Sequence, residues 1–128
     1  MIDRQYLIRR LTTIISWLML GASTLAAVPC SAQELTNSNL SVTVNQQDGS
    51  YQFGLVGTPS ILQASVGAEV DHTWLRAGSY PSHSVSEAPF SDVLGSGRQL
   101  TVTCSGLPGS PDLIYVLQLY TQNPYGTV

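Results

Sequence analysis

The chain has 128 residues, a formal charge of −3 at neutral pH and only five Lys and Arg together. That charge excludes an electrostatic grip on nucleic acid or on an anionic membrane surface. The content of Val, Leu and Tyr excludes a disordered tail.

Residues 1–32 read as a helical signal peptide. Arg4, Arg9 and Arg10 give a positive start, and an apolar run follows from Leu11 to Val28. Cys30-Ser31-Ala32 then places small residues at the −3 and −1 positions before Gln33, the layout of a secretory cleavage site. A membrane anchor is the competing reading, since Leu11–Val28 lies near the lower limit of a spanning helix. Thr12, Thr13, Ser16, Ser23 and Thr24 dilute the run, which disfavours it. Pro29 before Cys30 disfavours a lipoprotein signal. The expected location is secreted or periplasmic, with no stable membrane anchor. Cleavage leaves residues 33–128, where two Arg stand against seven acids and Lys is absent. A piece of this size supports one modest core.

Period-two patterns dominate residues 33–128. Leu40, Val42 and Val44 alternate with polar residues, and after Asp48-Gly49 so do Tyr51, Phe53 and Leu55. Asp-Gly between alternating runs is a strong hairpin signal, because Gly accepts a positive φ. Ala64, Val66, Ala68 and Val70 form a third run, and Asp71-His72 marks a turn into Thr73–Arg76. Residues 77–97 read as a long loop, with one short strand at Ser84-Val85-Ser86. Leu100–Cys104 is a fifth strand. Leu113–Tyr120 is a sixth, and its apolar residues on both parities predict burial on both faces. Thr127-Val128 begins a further extended segment. No helical period follows residue 33, so the expected fold is all-β, an antiparallel β-sandwich.

No residue is singled out as catalytic, cofactor-binding or metal-ligating. Cys104 alternates with Leu100 and Val102 and reads as a buried thiol. His72 and His83 lie in turns without ligand-spaced partners. Glu69 with Asp71, and Glu87 with Asp92, are weak carboxylate pairs, since glycosidic chemistry needs two acids across a cleft. Trp74, Tyr80, Tyr120 and Tyr125 are candidate sugar-stacking rings, weighed against core or interface packing. Gly95-Ser-Gly97 lacks the Lys of a phosphate loop and precedes a strand.

Phe90-Ser-Asp92-Val-Leu94-Gly95-Ser-Gly97 runs into Arg98-Gln-Leu-Thr-Val. Pro111-Asp112-Leu-Ile-Tyr-Val-Leu-Gln-Leu-Tyr120 and Pro124-Tyr125 follow. Together these resemble the N-terminal β-domain of bacterial α-galactosidases, of the glycoside hydrolase clan that contains families 27 and 36. Leu40-Ser-Val-Thr-Val, Asp48-Gly49-Ser-Tyr51, Trp74-Leu-Arg76 and Tyr80-Pro81 extend the resemblance over nearly all of residues 37–128. It implies a partial β-supersandwich that carries no catalytic residue and no cofactor. The two aspartates of the retaining mechanism belong to a later (β/α)₈ barrel, through which carbohydrate would be the partner. The chain is thus expected to be a non-catalytic N-terminal fragment of a secreted enzyme that continues beyond Val128. Self-association through the unpaired edge of Leu113–Tyr120 is expected. Asp92 and Asp112 are expected to cap backbone N–H groups in turns. The rival expectation is a small secreted β-sandwich that binds carbohydrate or protein.

Overall fold

A computed structural model describes residues 31–122 and 126–128. The signal segment read over residues 1–32 lies outside the described residues, apart from Ser31 and Ala32. The described chain is all-β, and every strand pairing is antiparallel.

The first sheet has the order β1-β2-β3-β4. It comprises β1 (Ala32–Thr36), β2 (Leu40–Asn45), β3 (Ser50–Leu55) and β4 (Leu62–Ser65). The β2–β3 hairpin falls where Asp48-Gly49 places it. Gly49 adopts φ +63°, the left-handed region that glycine occupies without a Cβ penalty. The Asp48 carboxylate accepts the Ser50 N–H at 2.9 Å, and Gly49 N–H donates to the Asn45 carbonyl at 2.9 Å. The loop is therefore four residues, Gln46 to Gly49, rather than a two-residue turn. β1 was not legible in the sequence, because only Leu35 in it is buried.

A two-stranded ribbon follows, β5 (Gly67–Val70) and β6 (Thr73–Arg76). Asp71 and His72 form its turn at φ +47° and +62°. The run Ala64–Val70, expected as one strand, is divided between β4 and β5. Val66 stands between the two, and its carbonyl accepts the Ala77 N–H at 2.9 Å. That bond extends the β5–β6 pairing one step beyond Gly67 and Arg76.

A 3₁₀ turn at Ala77–Ser79 leads into the second large sheet, of order β10-β9-β8-β7. Its strands are β7 (Ser82–Asp92), β8 (Gly95–Ser105), β9 (Leu113–Tyr120) and β10 (Gly126–Thr127). The expected long loop over residues 77–97 is overturned. β7 is an eleven-residue strand in continuous register with β8. Its serines alternate with the half-buried His83, Val85 and Glu87, a period-two pattern of small polar residues rather than of apolar ones. Pro89 is tolerated because β7 is an edge strand bonded on one side only.

The expectation for β9 is also corrected. Leu113, Tyr115, Leu117 and Leu119 are buried, whereas Ile114 is 59 % exposed. The strand is central but buries chiefly one face, with Tyr120 the exception on the other parity.

One core cluster joins all three sheets. It takes Leu35, Val42 and Val44 from the first sheet and Leu75 from β6. Leu100, Val102, Cys104, Leu113, Tyr115, Leu117 and Leu119 come from the second. Cys104 is buried as its alternation predicts, and burial pushes its thiol pKa up. Tyr115 bridges the sheets, its hydroxyl donating to the Gly49 carbonyl at 2.6 Å. Its ring lies 6.2 Å from Tyr51.

Candidate functional site

Two constellations lie outside the shared core. The first gathers the residues that carry the resemblance. β7 and β8 are joined through Val93-Leu94 alone, since Asp92 pairs with Gly95. Asp92 holds this tip: one carboxylate oxygen accepts the Leu94 N–H at 2.8 Å and the Gly95 N–H at 3.2 Å. The other accepts the Tyr120 hydroxyl at 2.7 Å. These bonds, Tyr120's first, hold the Asp92 carboxyl below the ordinary aspartate value.

Register places Phe90, Gly97 and Tyr120 side by side across β7, β8 and β9. The Phe90 and Tyr120 rings meet edge to face, with centroids 5.0 Å apart. Gly97 leaves room for them. A Cβ there would run into the Leu119 carbonyl and lie 2.9 Å from the Phe90 ring. Asn37 ties the node to the first sheet, its amide donating to the Tyr120 carbonyl at 2.9 Å. The Asn37 side-chain oxygen accepts from Asn39 N–H and Leu40 N–H. Asp92 thus works as the predicted cap, with every described contact an anchoring one. Asp112 is exposed just before β9.

The second constellation lies on the β5–β6 ribbon. Leu75 turns into the core, so its neighbours Trp74 and Arg76 face outward together. Trp74 is 62 % exposed. With Ser65, Val66, Gly67 and Arg76 it lines an open cavity of about 260 Å³. Glu69 is the cross-strand partner of Trp74, and Gly67 that of Arg76.

The remaining candidates disperse. Tyr80 is buried, and its hydroxyl donates to the Pro111 carbonyl at 2.6 Å. Tyr120 is buried as described, so neither ring offers a face to a sugar. Tyr125 lies outside the described residues. His72 sits in the β5–β6 turn, 3.9 Å from Glu69, while His83 Nε2 lies 2.8 Å from the Ala77 carbonyl. Asp71 belongs to that same turn, which breaks the shared strand face expected for Glu69 and Asp71. Glu87 pairs with Arg98 across β7 and β8. Among the described residues no three His, Cys, Asp or Glu side chains converge as a metal site would require.

Comparison with protein-family models, with curated proteins and with solved structures finds no match.

Proposed function

We propose that the chain is the non-catalytic N-terminal β-domain of an exported α-galactosidase-like glycoside hydrolase. In this reading the two four-stranded sheets are facing layers of a partial supersandwich. Residues 1–32 direct export to the periplasm or beyond, and hydrolysis belongs to a barrel encoded after residue 128.

The observation that supports this reading is the Asp92 node. The Phe-x-Asp-x-Leu-Gly-x-Gly segment and the aromatic end of β9 are 28 residues apart, from Asp92 to Tyr120, yet share one hydrogen bond. Phe90 and Gly97 pack at the same place. A motif whose members all serve one hairpin is a scaffold signature, and it suits a domain that supports chemistry performed elsewhere.

The test has two arms. The DNA downstream of codon 128 is read in all three frames for further strands and a (β/α)₈ barrel. The purified chain is incubated with a chromogenic α-galactoside. A barrel sequence together with a silent chain is the expected result. Turnover abolished by Asp92→Asn or Asp112→Asn, or an unrelated downstream gene, would overturn it.

A second reading, an exported carbohydrate-binding module, draws on one observation of its own. Trp74 keeps most of its indole in water beside an open cavity.

A further inference from the structure

We propose that the cavity between Trp74 and Arg76 is a binding subsite for one neutral pyranose ring. The inference deepens the carbohydrate-binding reading and rests on it for the class of ligand.

Trp74 is the flat apolar surface. An indole buried on folding is stabilised by removal of its large apolar area from water, and 62 % exposure forgoes most of that gain. Trp74 is absent from the shared core, so packing does not account for it. A pyranose presents an apolar C–H face that lies flat on such a ring.

Gly67 forms the floor. A Cβ built there would stand 3.6 Å from Trp74 Cε3 and 3.7 Å from Arg76 Cγ. Any longer side chain would therefore grow into the space between indole and guanidinium. The cavity of about 260 Å³ is smaller than the roughly 300–1,000 Å³ of drug-sized pockets, which suits one ring.

Polar groups flank the plate. Arg76 is exposed and has no ion-pair partner among the described residues. Its guanidinium offers five N–H donors to ring hydroxyls. Glu69 lies across from Trp74 on the same outward face and is half exposed. Its contact with His72 Nδ1, at 3.9 Å, is beyond hydrogen-bond distance, so its oxygens remain open to accept from hydroxyls. Glu69 stands outside the cavity lining but on the same face, so its charge offsets that of Arg76 and leaves no net attraction for an anionic sugar. An apolar plate with one donor in the lining and one acceptor of opposite charge on the same face matches a neutral sugar better than a phosphate or a uronate.

The experiment uses the exported chain, ¹⁵N-labelled. Once residues 1–32 are removed, Trp74 is the one tryptophan left, so its indole N–H signal needs no further assignment. Methyl α-galactoside and galacturonate are titrated separately, and saturation transfer to the sugar reports binding anywhere on the chain. The Trp74 signal is expected to move saturably with methyl α-galactoside, with Kd about 1 mM, the weak affinity of a one-ring site. Trp74→Ala should abolish saturation transfer to the sugar without lowering Tm, because the side chain is exposed. Arg76→Ala should weaken binding about tenfold through loss of a charge-assisted hydrogen bond.

Saturation transfer with a still Trp74 signal would overturn this site while leaving a carbohydrate-binding module standing. No transfer at all would overturn both. Preference for galacturonate would overturn the neutral-ring assignment. A Trp74 signal that moves with protein concentration and ignores sugar would reassign the surface to self-contact.

Discussion

The Tyr120 hydroxyl reaches Asp92 across the end of the second sheet at 2.7 Å, and the same carboxylate holds the Leu94 and Gly95 amides. One aspartate thus closes a hairpin and fastens it to the central strand. The bond to Tyr120 accepts on the ionised carboxylate, and such charge-assisted bonds are stronger than neutral ones.

The pH dependence has a definite sign. Tyr120 first, then the Leu94 amide, lowers the folded pKa of Asp92 below its free value. Asp48 is lowered in the same way by Ser50. A carboxyl whose pKa is depressed on folding contributes stability above its unfolded pKa, about 3.9. That contribution is lost as pH falls through the lower folded value. The Tm should therefore fall on acidification below pH of about 4. Asp92→Asn should flatten part of that limb. An acid limb of unchanged steepness in the variant would remove Asp92 from the account.

Gly97→Ala tests the packing of the node separately from its charge. The added methyl meets the Leu119 carbonyl, which is backbone, and the Phe90 ring. Overpacking of this kind costs about 1–3 kcal/mol. Chemical denaturation should show a lower midpoint with an unchanged m-value. A midpoint equal to that of the parent chain would mean that β9 shifts freely to accommodate the methyl.

Tyr115→Phe tests the bridge between the sheets. It removes the hydroxyl bonded at 2.6 Å to Gly49 O, a buried position, and leaves that carbonyl without this donor. The expected loss is about 1–2 kcal/mol. Burial pushes the Tyr115 pKa well above the ordinary tyrosine value, so ultraviolet titration should show a phenol that ionises only as the protein unfolds at alkaline pH. Early ionisation would contradict a buried bridge.

The sequence made the core strands legible where alternation was apolar. Val42 and Val44, and Leu100, Val102 and Cys104, are fully buried as their period predicts. The Asp48-Gly49 and Asp71-His72 turns also stand where they were read. β7 was hidden because its outward residues are serines and its inward ones include His83 and Glu87, which carry no hydrophobic period. Leu113–Tyr120 misled for the opposite reason. Ile114 and Val116 suggest two buried faces, yet Ile114 remains in solvent. Of the aromatics read as exposed, Trp74 is exposed, whereas Tyr80 and Tyr120 are buried. A Thr-Trp-Leu-Arg segment permits either residue of the Trp-Leu pair to face the core, and register with Ala68 selects Leu75.

The β5–β6 turn offers a stabilising change. Asp71 and His72 both hold left-handed φ, the geometry of a two-residue hairpin turn that favours Asn-Gly. A non-glycine residue there costs about 1–2 kcal/mol. Asp71→Asn with His72→Gly should raise the midpoint of unfolding. A fall would show that the His72–Glu69 contact outweighs backbone relief.

β9 is paired unequally along its two edges. On one side β8 pairs with all of Leu113–Tyr120, and on the other β10 pairs only with Gln118 and Leu119. Among the described residues, no strand pairs with Leu113–Leu117 on that second side. Unpaired strand edges with apolar neighbours are templates for another chain, and Ile114 is such a neighbour at 59 % exposure. The expected outcome is reversible, concentration-dependent self-association of the full chain in sedimentation velocity. Ile114→Lys should suppress it, because a lysine on an edge strand is costly to bury against a second copy. The substitution sits on the exposed side of β9, so Tm should change little, and circular dichroism checks that the fold survives. If parent and variant both sediment as monomers at every concentration, the edge is protected in solution. If both associate equally, a different surface is responsible, and the Leu55, Val56, Ile61 and Leu62 cluster at the β3–β4 hairpin, all exposed, is the next to be mutated.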